Sequence, residues 1–183
     1  MNMKKTKELD YLNGSLWDKI LLFAIPVAVS GMLQQLFNAA DLAVIGKYCG
    51  STELAAVGSN SAMISLIVSL FTGLSVGTNV VLAKYIGQKE ESKIKLVVHT
   101  SIIIAIVSGL LLIVLGMIFA KRLLVLMLTP ENILPLAALY LRIYFLGMPF
   151  MMLYTFGAAI LRAVGETNKT LVCLFVSGIV NVI

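Results

Sequence analysis

The fold class that the sequence predicts is an all-α polytopic membrane protein with about five transmembrane helices, the fifth cut short. Three observations carry it. Of the 183 residues, 60% are hydrophobic and 13% charged, and the mean hydropathy is +0.99. That is more apolar surface than a soluble domain of this size can bury. Apolar stretches recur that reach the roughly 20 residues needed to cross a bilayer core, with short polar segments between them. Finally, basic residues crowd into alternate segments, as they do when spans reverse direction.

Residues 1–15 form a polar, Lys-rich N-terminal segment, and Trp17 with Lys19 reads as an interfacial anchor. The apolar run that follows is too long for a signal-peptide core and ends in no cleavage site, so the first span is retained, over about 18–46. Gly46, Lys47 and Gly50 mark a turn before the second span, about 53–83. The charged stretch 84–95, KYIGQKEESKIK, reads as a short loop plus an amphipathic interfacial helix. The third span, about 96–120, is the most uniformly apolar, and a loop with Lys121, Arg122, Pro130, Glu131 and Pro135 follows it. The fourth span, about 136–161, is aromatic and is expected to kink near Gly147 and Pro149. LRAVGETNKT is a second charged loop, and the fifth span, about 171–183, stops inside a helix. The expectation is therefore a piece of a longer protein.

Orientation follows from the cations. Lys4, Lys5, Lys7, Lys19, Lys84, Lys89, Lys93, Lys95, Arg162 and Lys169 fall on one side; Lys47, Lys121 and Arg122 fall on the other, with Arg142 inside span four. The excess places the N-terminus in the cytoplasm. The net charge of +5 thus reports topology rather than a nucleic-acid partner.

The first span, LLFAIPVAVSGMLQQLFNAADLAVIG, carries Pro26, Gln34, Gln35, Asn38 and Asp41. Gln34, Asn38 and Asp41 stand at i, i+4 and i+7 and share one helical face. A carboxylate within a span is costly and points to a protein interior or a watery cavity. Asp41 lies about 30 Å along the axis from the start of the span, which places it in the outer half. There it could exchange a proton or hold Na⁺; the plainer reading is an anchor or an ion pair with Arg142. Asn181, with Ser177 a turn earlier, sits near the expected midplane of span five, and an interhelical hydrogen bond is its plain role. In span two Ser65, Ser69 and Thr72 share a face, for which close helix packing is the first expectation and a polar cavity wall the second. Tyr140 and Tyr144 form a stripe suited to an interfacial belt or, reaching inward, to a flat organic cation. His99 reads as an interfacial histidine, and Cys49 and Cys173 as packing residues. Phosphate-loop, HExxH and GxSxG patterns are absent from the sequence, which argues against nucleotide hydrolysis and an intramembrane enzyme. No cofactor is expected.

The first helix with Pro26, Gln34 and Asp41, followed by GKYCGSTELAAVGSN, TGLSVGTNVVLAKYIGQKE and LRAVGETNKT, resembles the multidrug and toxic compound extrusion (MATE) transporters. The resemblance runs from about Leu16 to Ile183. It implies twelve helices in two six-helix lobes, of which 16–183 would supply part of the N-terminal lobe, and a second lobe needed for function. It further implies a multi-pass plasma-membrane antiporter that exports cationic, amphipathic drugs in exchange for H⁺ or Na⁺. By the same resemblance the coupling site falls on Asp41 and Asn181, an Asp partner would lie just past Ile183, and Pro26 would let the first helix bend. Gln34, Asn38, Ser65, Tyr140 and Tyr144 are the cavity-lining candidates. Two alternatives stand beside this reading. A lipid-linked oligosaccharide or polysaccharide flippase of the same superfamily would require a cationic cavity; a non-transporting membrane module would leave the acid–amide face unexplained.

Overall fold

The structure is a computed structural model that describes residues 16–182, apart from the side chains of Leu16, Lys19, Leu22, Asn181 and Val182. The N-terminal segment 1–15 and the Lys19 anchor lie outside the described residues. The chain is all-helical there: α1 (Leu16–Tyr48), α2 (Ser51–Gly87), α3 (Glu91–Leu126), α4 (Leu134–Ala163) and α5 (Thr167–Val182). The first four contain segments long and apolar enough to cross a membrane, and α5 is a shorter apolar helix. Each helix outruns the span expected for it at one or both ends. The stretch 84–95 is not a separate interfacial helix, because its first residues finish α2 and its last begin α3. Glu90 pairs with Lys93 at 2.7 Å across that corner, which steadies the first turn of α3.

Short connections force successive helices to reverse. α2 and α4 are therefore parallel, and α3 runs antiparallel to both. Three corners close in the same way. Lys89, Leu128 and Gly165 take positive φ (56°, 57° and 87°) after α2, α3 and α4. At each corner the next N–H returns to a carbonyl in the last turn: Glu90 to Tyr85, Thr129 to Leu124 and Glu166 to Leu161. Gly50, between α1 and α2, has φ 110°, a conformation open in practice only to glycine.

The core lies where α3 and α2 meet α4. On α3 the buried row is Ser101, Ala105, Gly109, Leu112, Gly116, Ala120 and Leu124, mostly small residues three or four apart. Against it α4 presents Leu141, Phe145, Met148, Met152 and Phe156. Any side chain at Gly109 would meet Pro149 Cα at 2.5 Å, and one at Gly116 would run into the Phe145 ring. The glycines are what allow the two backbones to approach. The opposite face of α3 (Ile103, Val107, Leu110, Leu111, Val114 and Ile118) is exposed, as a lipid-facing flank should be.

Two amides, Asn60 buried and Asn79 half-buried, tie α2 to α4. Asn60 donates from Nδ2 to the Ala137 carbonyl at 3.1 Å and to Ala56 O at 2.8 Å. Asn79 donates to the Ala159 carbonyl at 3.0 Å. Nineteen residues separate the two asparagines, or about 28 Å of helix, so the pair is fastened near both ends. α1 packs chiefly on α5 and more lightly on α2. There the tip of the Phe37 ring reaches the bare backbone of Gly178, where a Cβ would collide with it.

Candidate functional site

α1, α2 and α4 enclose a cleft of about 570 Å³. From α1 it receives Gln34, Gln35, Asn38 and Asp41; from α2 Ser61, Ser65 and Ser69; from α4 Tyr140, Tyr144 and Met151. The helical period places them there. Gln34, Asn38 and Asp41 are successive steps along one stripe, as are Ser61, Ser65 and Ser69. Asp41 lies seven residues before the end of α1, about 10 Å from the α1–α2 connection. It is partly exposed in the cleft. Among the described residues it forms no ion pair, and Arg142 lines a different groove. The plain expectation of an Asp41–Arg142 pair is therefore not met, because Asp41 on α1 lines the cleft while α4 carries Arg142 into a separate groove shared with Lys121. Asn38 reaches Gln35 Oε1 at 3.4 Å, a long contact that leaves both amides available.

The tyrosines form one wall. Their ring centroids are 6.4 Å apart and tilted by 31°, and the Tyr144 hydroxyl donates to Met151 Sδ at 3.5 Å. They face the cleft rather than an outer belt. On α2, Ser65 and Ser69 line the cleft instead of cementing helix contacts; Thr72 is exposed, and its carbonyl accepts the Ser75 hydroxyl at 2.8 Å. Pro26 lies two turns before Gln34. It has no N–H to give the preceding turn, and its own carbonyl accepts the Ser30 hydroxyl at 2.7 Å. Both features loosen the helix just below the polar stripe.

Asn181 lies on the last turn of α5, and its side chain is outside the described residues. His99 is exposed and hydrogen-bonds through Nδ1 to Lys95 O at 2.8 Å. Cys49 and Cys173 are exposed, so neither is the core packing residue expected of it. No group of three or more His, Cys, Asp or Glu among the described residues could hold a metal ion, so a bound cation at Asp41 would depend on amide and hydroxyl oxygens nearby. Met151 was absent from the expected lining, since a methionine in an apolar span carries no signal of its own. Asn60 and Asn79 were also missed, although an amide within an apolar span is itself a signal.

Membrane-length helices around a polar cleft with a single carboxylate define a class: polytopic helical membrane proteins with a polar cleft between their helices. The chain belongs to the MatE family, whose model matches residues 26–183. It is 33% identical over 168 residues to Probable multidrug resistance protein YoeA of Bacillus subtilis (strain 168), covering 92% of this chain and 36% of that protein. It is 30% identical to Probable multidrug resistance protein YpnP of the same organism, covering 90% and 37%. A MATE crystal structure described as being in the bent conformation superposes with a TM-score of 0.86 at 26% identity, over 96% of this chain and 39% of that one. Another, in the straight conformation, gives 0.84. The chain thus spans somewhat over a third of the length of the relatives it matches.

Proposed function

We propose that this chain acts as the N-terminal lobe of a cation-coupled exporter of cationic, amphipathic compounds, working together with a second lobe. The observation that carries the reading is the charge of the cleft. Asp41 is its one ionisable carboxylate, no lysine or arginine lines it, and the remaining surface is amide, hydroxyl, tyrosine and apolar. Such a cleft attracts a flat organic cation, which could stack on Tyr140 and Tyr144, and offers nothing to an anionic lipid-linked sugar. The curated names of the Bacillus relatives, as multidrug resistance proteins, point the same way.

In this mechanism H⁺ or Na⁺ and the drug compete for Asp41. Protonation, or Na⁺ held by Asp41 with amide oxygens, cancels the charge that retains the drug. Asn181 of α5 is the proposed partner in that step. Bending of α1 at Pro26, eased by the Ser30 contact, then narrows the cleft. Coupling requires only that cation and drug stabilise different conformations. The chain performs no covalent chemistry and is proposed to sit in the plasma membrane with its N-terminus in the cytoplasm. In the complete protein, Asp41→Asn is expected to abolish gradient-driven efflux of a fluorescent organic cation while leaving membrane insertion intact; efflux at the unsubstituted rate would sink the assignment.

A further inference from the structure

A second groove, of about 620 Å³, opens beside α3 and α4 near their connection, with a lining separate from that of the polar cleft. Lys121 of α3 and Arg142 of α4 enter it above a floor of Leu134, Pro135, Ala138 and Leu139, and Glu131 stands at its mouth. Lys121 lies five residues before the end of α3, and Arg142 eight residues into α4. Both charges are thus about 8–12 Å below the α3–α4 connection. Neither makes an ion pair among the described residues.

Arg142 is flanked by exposed Leu139, Ile143 and Leu146. A guanidinium on such a flank is costly in hydrocarbon and must rise toward the interface or find an anion. The connection itself is apolar at its tip, with Leu126 80% and Leu128 88% exposed. Arg122 lies over the Phe119 ring at 6.0 Å. Exposed leucines beside free cations at one membrane level match the boundary between headgroups and acyl chains.

We infer that the Lys121–Arg142 groove is a binding site for the headgroup phosphodiester of an anionic phospholipid, with one acyl chain lying along the Leu139–Leu146 flank. Two cations and one acid leave a local charge of +1, which one phosphodiester neutralises. Glu131 opposes headgroups of higher charge.

The test is native mass spectrometry of the purified protein with phosphatidylglycerol and, separately, phosphatidylcholine of matched chains. The unsubstituted protein should retain one phosphatidylglycerol that the double variant Lys121→Gln/Arg142→Gln loses, with binding weakened tenfold or more and phosphatidylcholine adducts unchanged. The charge-preserving pair Lys121→Arg/Arg142→Lys should keep that lipid, which separates loss of charge from misfolding. Glu131→Gln should bind phosphatidylglycerol at least as tightly. Equal retention by the double variant, or loss by the charge-preserving pair, would overturn the inference. So would dissociation of a dimer by the double variant, which would make a second copy the occupant.

Discussion

Asp41 stands one turn of α1 beyond Asn38 and two beyond Gln34 on the wall of the cleft, so a cation moving along that wall passes two neutral oxygens before it meets the charge. On the proposed reading the amides position the cation and the carboxylate releases it. Gln34→Ala or Asn38→Ala should therefore weaken apparent affinity for an exported cation several-fold while preserving its dependence on the ion gradient, measured as KM against maximal rate in vesicles. Loss of gradient dependence in either variant would move the coupling role away from Asp41. This stripe was legible in the sequence because polar residues at i, i+4 and i+7 stand out in an apolar span. Tyr140 and Tyr144 were legible only as a stripe. Whether they faced lipid or cleft depended on the rotation of α4, which the Gly109 and Gly116 approach sets from another helix.

At the scale of elements, the α3–α4 contact depends on absent side chains and the α2–α4 contact on two amides that donate to α4 carbonyls. Gly116→Ala should force Phe145 aside and destabilise the protein by about 1–3 kcal/mol, the usual consequence of overpacking, read as a lowered melting temperature in detergent. Asn60→Ala should cost about 0.5–2 kcal/mol, in the range of polar contacts between membrane helices. Asn79→Ala should add to it almost independently, since the sites are about 28 Å apart and share no partner. Strong non-additivity would show that the two bonds form one unit. Local sequence indicated five helices well and their limits less well. The connection 84–95 is polar enough to suggest a loop, yet helical hydrogen bonding continues to Gly87 and resumes at Glu91. The positive-φ corners at Lys89 and Leu128 carry no glycine to announce them.

At the scale of the whole molecule, charge asymmetry predicts which end of each helix meets the cytoplasm, and Cys49 gives a direct check. It is exposed at the α1–α2 corner, which the proposed topology places outside the cell. In a complete protein whose other cysteines, Cys173 included, are replaced by serine, a membrane-impermeant maleimide should label intact cells at Cys49; labelling only after permeabilisation would invert the topology. The family relationship was legible from the order of short glycine-containing segments. The groove at Lys121 and Arg142 was not, because its two cations are 21 positions apart and converge only once α3 has folded back along α4.

The two asparagine ties have one more consequence. They fix α2 and α4 in register over most of their shared length, whereas α1 leans mainly on α5 through Phe37 and Gly178. The cleft therefore has one stationary wall, carrying the serines and tyrosines, and one wall on a separate support, carrying Asp41. Under the proposed cycle, recognition and discharge would be assigned to different walls. Substitutions on the first should change which compounds are chosen, and substitutions on the second how they are let go.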